Sequence, residues 1–234
     1  IVMSNGSDAA KGVADFVLLD SNFDSLVGVV LEGRKVINNI QRVASLYLTK
    51  TVFSLILAMV YIFLASNYPF QPIQLSPISS LTVGIPSFFL ALRPNVAPIK
   101  GRFLKNVFEP ALASGFSVVT FTLGIEIIGN ILHWSYDEKS TVTVWLTGLV
   151  CFIALHYIAR PLTWKIYLMI GMLFGIFVSI FLFFTSIFSL VNIFTFHLMI
   201  VYVPMMVVAP ILFRRYRKIF HYLLSLDITK KAKT

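Results

Sequence analysis

The chain contains few charged residues and almost no cysteine. Asp, Glu, Lys and Arg together make up 12% of its 234 residues, whereas 58% are hydrophobic, and the mean hydropathy is +0.86. Ordinary soluble domains are about one quarter charged, so this composition excludes that class of protein. The single cysteine, Cys151, excludes an internal disulfide framework and any metal site built from several thiolates.

The gaps between the apolar runs from residue 43 to residue 213 alternate between basic and nearly uncharged. Lys and Arg are retained on the cytoplasmic side during membrane insertion, so this alternation predicts the orientation of the chain. We expect both termini in the cytoplasm and the loop around Asp137 outside. The basic positions are Arg34, Lys35 and Arg42 before the first run, Arg93, Lys100, Arg102 and Lys105 after the second, Arg160 and Lys165 after the fourth, and Arg214, Arg215, Arg217 and Lys218 after the last.

The apolar runs predict an all-α polytopic membrane protein with six transmembrane helices. A helix needs about 20 apolar residues to cross roughly 30 Å of hydrocarbon. The stretch from Ile166 to Phe213 lacks Asp, Glu, Lys and Arg and is too long for one crossing, so we expect a turn within it. The predicted spans are residues 43–65, 69–92, 108–132, 141–159, 166–187 and 192–213.

The net charge of +9 bears on the partners of the chain. Many basic proteins bind nucleic acid, but here the basic residues lie in loops beside the predicted spans. Attraction to anionic lipid of the inner leaflet explains such loops better. We therefore expect the lipid bilayer as a partner and no nucleic acid.

The second predicted span is interrupted by proline. Pro69, Pro72, Pro77 and Pro86 lack a backbone donor, and inside a helix each proline frees a carbonyl one turn earlier. In a membrane, freed carbonyls are tolerated where they are buried in protein or line a wet cavity, and broken helices of this kind build ion sites. The alternative is an inert kink whose hydroxyls bond to their own backbone.

Hydroxyl side chains of the first two spans are candidate ligands for a cation. We expect Ser79 and Thr82 of the second span to face Thr51 and Ser54 of the first. Lys50 would then lie beside the ion pathway as a fixed positive charge. The alternative is that its ammonium extends to the cytoplasmic interface.

Glu126 is the only carboxylate well inside a predicted span. Ionisable groups within membranes commonly mark ion pathways. We expect Glu126 to be an ion-pathway charge, as a ligand or as a counter-charge. A satisfied acid at the membrane interface is the alternative.

Residues 1–42 have a different pattern. Ile1–Met3 and Asp15–Leu19 are predicted strands, Ser7–Val13 is a predicted helix, and a long helix is expected from Phe23 into the first span. Strand, helix, strand and helix at this spacing are typical of the end of a doubly wound α/β unit. Such a short segment buries too little surface to fold alone, so we expect an upstream portion to complete it.

The same segment carries a family resemblance. The run Asn5-Gly-Ser-Asp-Ala-Ala-Lys-Gly-Val-Ala-Asp-Phe-Val-Leu-Leu-Asp20-Ser-Asn22-Phe, with Gly33 further on, resembles cation-transporting P-type ATPases of the calcium-pump-like bacterial branch. In that family, Asp20, Asn22 and Gly33 would be motif positions. The resemblance implies that residues 1–35 close a HAD-like phosphorylation domain, that 36–218 form a stalk and pump helices five to ten, and that 219–234 form a basic cytoplasmic tail.

The resemblance implies an ATP-driven pump that cycles through an aspartyl-phosphate in the bacterial plasma membrane. The chain has no Asp-Lys-Thr-Gly-Thr phosphorylation motif and no Thr-Gly-Asp-Gly-x-Asn-Asp magnesium loop. We therefore expect no catalytic or cofactor-binding residue within it. ATP and Mg²⁺ would bind outside this fragment, to the missing N-terminal portion of the same pump, and the fragment would be inactive alone.

The resemblance bears less directly on the transported ion. Calcium pumps have a run similar to Asn-x-x-Thr-Asp-Gly-x-Pro in their sixth helix, where this chain has Ser79, Thr82, Val83, Gly84 and Pro86. Calcium prefers several charged oxygens, and here the carboxylate is missing. We favour calcium, with a monovalent or another divalent cation as alternatives. A complete non-enzymatic channel or secondary carrier of six helices is the alternative function.

Overall fold

The computed structural model describes residues 1–20, 22, 24–64, 66–93, 95–99 and 101–231, with side chains as far as Ser225. These residues form two compact units. The smaller comprises Ile1–Ile40 and Arg93–Lys100, and the larger comprises Gln41–Leu92 and Gly101–Thr234. The candidate site described below lies entirely within the larger unit.

The smaller unit contains the strands and the first helix. Strands β1 (Val2–Met3) and β2 (Val17–Leu18) pair in parallel, and helix α1 (Asp8–Val13) lies between them in the chain. The helix begins where the Ser7 hydroxyl accepts a hydrogen bond from the Ala10 N–H, a common N-terminal cap. This order of elements agrees with the sequence pattern.

The remaining described helices are largely apolar, and most of them are long. The predicted start of the second helix at Phe23 lies outside the described residues, and that helix is described from Asp24. The bounds are α2 (Asp24–Leu64), α3 (Pro72–Ser79), a π-helical segment (Ser80–Gly84), α4 (Ile85–Leu92), α5 (Phe103–Ile131), α6 (Tyr136–Ile158), α7 (Trp164–Phe183) and α8 (Phe196–Lys231).

Six helices of the described chain have the length and composition to cross a membrane, when α3, the π segment and α4 are counted as one span. The prediction of an all-α polytopic membrane protein is therefore confirmed. Its six predicted spans overlap these six helices. The last helix continues to Lys231 and so includes most of the residues assigned to a separate basic tail.

Helix α6 forms the centre of the larger unit. In its most apolar stretch 78% of the residues are buried, because α5, α7 and α8 all pack against it. Gly148 permits one of these contacts, since a Cβ there would lie 2.2 Å from the Phe177 ring of α7. Gly115 of α5 has the same role against Val52 of α2, where a Cβ would lie 2.3 Å from Cγ1.

Candidate functional site

The second span is interrupted by one π-helical turn. The Ile85 N–H donates to the Ser80 carbonyl, five residues earlier instead of four. Pro86 follows directly and has no N–H, so a carbonyl one turn earlier loses its usual partner. Single π turns inside α-helices often occur at functional sites. The proline-rich sequence thus produces a local widening of the helix and not a complete break.

Lys50 reaches this interruption from α2. Its Nζ donates a 2.7 Å hydrogen bond to Ser79 Oγ, and that hydroxyl donates to the Leu75 carbonyl at 2.8 Å. The lysine is half-buried. The ammonium is therefore held at the junction of α3 and the π segment.

Thr82 lies one turn beyond Ser79, inside the π segment. Its side chain is 1% exposed, and its hydroxyl donates to the Ile78 carbonyl at 2.7 Å. Lys50, Ser79 and Thr82 line a cavity of about 10 Å³, together with Thr49 and Cys151. A cavity of this size has room for about one water-sized particle. We refer to it as the central cavity.

The structure does not bring Thr51 and Ser54 to the central cavity. Thr51 is exposed, and its hydroxyl bonds to the Tyr47 carbonyl at 3.2 Å. Ser54 is half-buried and does not line the cavity; burial raises the pKa of the Tyr68 phenol, and the nearby Ser54 hydroxyl lowers it in part. Thr49 occupies the inward position on α2, and Thr51, two residues later, is on the opposite side of the helix.

Thr49 is a cavity residue that the sequence analysis missed. It is 3% exposed, and its hydroxyl lies 3.0 Å from the Ser114 hydroxyl of α5. The signal was present in the spacing of Leu46, Thr49, Phe53 and Leu57, all buried on one face of α2.

Glu126 belongs to a second polar site, between α2, α5 and α6. Its Oε1 lies 2.9 Å from Lys139 Nζ, and both side chains are less than one fifth exposed. Asn130 bonds to both members of this pair, at 3.2 Å to Glu126 and 2.9 Å to Lys139. The Tyr61 hydroxyl approaches the other carboxylate oxygen at 3.4 Å.

A cavity of about 330 Å³ adjoins this ion pair, and Ser140 and Thr143 also line it. We call it the Glu126 cavity. Gly129 makes room for the lysine, because a Cβ there would lie 2.6 Å from Lys139 Cγ. The sequence analysis missed Lys139 as the partner of Glu126.

The central cavity and the Glu126 cavity are separated by apolar packing along α2. Lys50 and Tyr61 are eleven residues apart, or roughly 16 Å along the helix axis. Phe53 and Leu57 lie between them and are 1% and 0% exposed. The described structure therefore contains two polar sites with a dry barrier between them.

Carboxylates are scarce around both sites. Among the described residues, no group of three or more His, Cys, Asp or Glu side chains is placed to hold a metal ion. A cation in the central cavity would have hydroxyl and carbonyl oxygens as its ligands. It would also lie close to the Lys50 ammonium.

No protein-family model matches the chain. It is 34% identical over 179 residues to the probable cation-transporting ATPase exp7 of Streptococcus pneumoniae, a match covering 73% of this chain and 23% of that protein. It is 37% identical over 178 residues to the calcium-transporting ATPase CtpE of Mycobacterium tuberculosis, covering 70% of this chain and 22% of that protein. The chain belongs to the cation-transporting P-type ATPases.

This P-type ATPase chain spans less than a quarter of the length of the curated relatives it matches. A shorter stretch of 97 residues is 39% identical to the human potassium-transporting ATPase alpha chain 2 and covers 42% of this chain and 9% of that protein. The six apolar helices fit the membrane portion of such a pump.

The family-motif positions lie in the smaller unit of this P-type ATPase chain. Asp20 is exposed. The Asn22 side chain accepts from the Asp24 N–H at 3.0 Å, and its carbonyl accepts from the Ser25 hydroxyl at 2.6 Å, so Asn22 stabilises the start of α2. Gly33 lies within α2, and a Cβ there would meet no described atom within 4 Å.

Proposed function

We propose that this chain forms part of the cation pathway of an ATP-driven pump, with the central cavity as its cation site. The hydrogen bond between Lys50 and Ser79 carries this proposal. An ammonium held by a hydroxyl next to a π turn already occupies a place suited to a cation. Its presence about two turns inside an apolar span is costly, and such groups are commonly functional.

In this proposal, Lys50 limits the charge that the site accepts. A unit charge about 4 Å from the ammonium meets a repulsion of roughly 4 kcal/mol at an effective dielectric of about 20, and a divalent ion meets about twice that. The bound cation therefore takes most of its ligands from carbonyls of the π segment and from Ser79 and Thr82. Ligands from the rest of the pump complete the site.

We favour calcium as the transported ion, because the relative CtpE is named a calcium-transporting ATPase. The lack of a carboxylate at the central cavity favours a single ion per cycle. A monovalent cation is the second candidate, because the Lys50 charge repels it less. The relative named a potassium-transporting ATPase agrees with this second candidate.

Glu126 serves the other end of the proposed pathway. Its carboxylate lies at a cavity of about 330 Å³ that is large enough for a hydrated ion. Lys139 neutralises the carboxylate while no transported ion is present. ATP and Mg²⁺ bind to the portion of the pump beyond this chain, which is also its principal partner.

The test of the central site compares two serine variants of the full-length pump. Ser79→Ala removes the acceptor of Lys50, whereas Ser179→Ala removes a hydroxyl of α7 that, as Ser79 does, donates to the carbonyl four residues earlier. We expect Ser79→Ala to shift the ion concentration for half-maximal phosphorylation several-fold, and Ser179→Ala to leave it within twofold. Equal ion-activation curves for Ser79→Ala and the parent pump would contradict the proposal.

We further propose that the chain is a multi-pass protein of the bacterial plasma membrane with both termini in the cytoplasm. Introduced cysteines at Asp137 and Lys233, in a Cys151→Ala background, test this orientation. Asp137 is exposed and suits the experiment better than Glu138, which caps α6 and contacts His197. An impermeant thiol reagent added to intact cells should label only the cysteine at 137. Labelling at 233 as well would reject the orientation.

A further inference from the structure

A third cavity, of about 330 Å³, lies between the C-terminal part of α6 and α8. It contacts neither the central cavity nor the Glu126 ion pair. Its lining divides into two kinds of side chain. Phe152, Pro210 and Phe213 are apolar, whereas Arg160, Arg214 and Arg217 are basic.

Two of the basic side chains lie over one aromatic ring of this lining. The guanidinium carbons of Arg160 and Arg217 lie 5.1 and 4.5 Å from the centroid of the Tyr157 ring, so they are less than 10 Å apart. No acidic residue lines the cavity in the part of the chain that the structure describes. Outside the lining, the carboxylate of Glu109 lies 3.7 Å from Arg217 Nε and also contacts His221 at 2.7 Å.

Arg160 and Arg214 are the two uncompensated charges. Within the described chain, no ion pair of 4 Å or less involves either guanidinium. The backbone at Arg160 is fixed, because its carbonyl accepts a 2.9 Å hydrogen bond from the buried side chain of Arg42 on α2. The cavity therefore presents positive charge that no described carboxylate pairs with at Arg160 or Arg214.

The apolar end restricts which anion fits. Phe152 lies six residues before the end of α6 at Ile158, or roughly 9 Å along the helix axis, and Arg160 follows that end. A soluble anion would leave the aromatic part unfilled. A phospholipid has the matching order, with an anionic headgroup above the first methylenes of its acyl chains. Basic pockets at the ends of membrane helices suit such headgroups.

We propose that this cavity binds an anionic phospholipid of the leaflet that borders the basic loops. Its headgroup phosphate bonds to Arg160 and Arg214, and its upper acyl segments pack against Phe152 and Phe213. Arg217 borders the same phosphate but also forms an ion pair with Glu109. This proposal does not depend on the cation pathway.

The experiment measures binding of phosphatidylglycerol to the full-length pump, purified in detergent, by native mass spectrometry. The double variant Arg160→Gln/Arg214→Gln should weaken binding at least about tenfold, because each basic group near a membrane surface contributes substantially to anionic lipid binding. The matched control, Arg215→Gln/Lys218→Gln, loses the same charge from exposed positions of α8 outside the cavity. It should stay within about threefold of the parent.

Three results would overturn the proposal. Equal losses in the two double variants would mean that general surface charge attracts the lipid. Equal binding of phosphatidylcholine would mean that the headgroup charge is not recognised. Full displacement of the lipid by millimolar inorganic phosphate would indicate a site for soluble anions. Thermal unfolding in phosphatidylcholine alone tests whether each variant is folded. If a double variant does not fold, the single variants Arg160→Gln and Arg215→Gln are compared instead.

Discussion

Two half-buried lysines of the membrane helices, Lys50 and Lys139, differ in what compensates their charge. Lys139 forms a 2.9 Å ion pair with Glu126, and Asn130 bonds to both partners. Lys50 bonds to the neutral hydroxyl of Ser79 at 2.7 Å. The Glu126 cavity is therefore nearly neutral as a unit, whereas the central cavity keeps a net positive charge.

This difference predicts opposite effects on stability when each lysine is removed. An ion pair that is mostly buried loses stability when one partner is removed, because the other charge stays uncompensated. A lone ammonium beside a hydroxyl costs stability while it is present. Removal of the Lys50 ammonium should therefore leave the protein folded but change its transport activity.

The largest expected effect on stability comes from Lys139→Met in the full-length pump. The variant leaves Glu126 without its cation and should lower the free energy of unfolding by about 3 kcal/mol. Thermal or chemical unfolding in detergent measures this loss. Lys35→Met is the control, because Lys35 and Glu32 form an exposed pair of 3.0 Å whose removal costs less than about 1 kcal/mol. The comparison fails if both variants lose equal stability, or if Glu126→Gln does not restore most of the loss in Lys139→Met.

Lys50→Met should have the next largest effect, on transport and not on stability. Removing the fixed charge allows one more positive charge, as an ion or a proton, to occupy the central cavity in each cycle. Charge movement per ATP hydrolysed, measured in vesicles, should therefore rise by about one unit. Lys165→Met removes an equal charge from an exposed position and should leave the ratio unchanged. If a folded Lys50→Met variant moves the same charge per ATP hydrolysed as the parent pump, Lys50 is not part of the pathway.

The smallest effect should come from the two threonines that the sequence analysis grouped together. Both hydroxyls donate to the carbonyl four residues earlier, but Thr82 lines the central cavity and Thr51 is exposed. We expect Thr82→Val to weaken ion-dependent phosphorylation a few-fold, and Thr51→Val to change it less than twofold. Ion-activation curves decide between them. A larger effect of Thr51→Val than of Thr82→Val would favour the arrangement expected from the sequence, in which Thr51 is a ligand of the cation.

The sequence was sufficient for the fold class because hydropathy and basic loops respond to the membrane itself. It also indicated Lys50, Ser79 and Thr82 as neighbouring candidates, since prolines and polar side chains are costly in a span, and all three line the central cavity. The face of α2 that points to the central cavity was harder to predict. Thr51 and Ser54 differ from Thr49 by only a few residues, and an exposed hydroxyl that bonds its own backbone, as that of Thr51 does, costs little.

The partner of Glu126 could not be predicted from the sequence for a different reason. Lys139 lies thirteen residues away, across the turn between α5 and α6, and the sequence places it in a loop. Only the packing of its stem against Gly129 shows that the side chain turns inward. The π segment was likewise not predictable, because proline positions indicate a weakened helix but not which hydrogen-bond register replaces it.

The π segment also sets the angular relation between the two halves of its span. A single π turn accommodates one residue more than an α-helical turn, and one residue corresponds to about 100° of rotation. The side chains of α4 are therefore out of phase with those of α3, although both belong to one crossing. Two faces of the same span can thus serve different neighbours, and deleting one residue between Ser80 and Gly84 would bring the two halves back into a single helical phase.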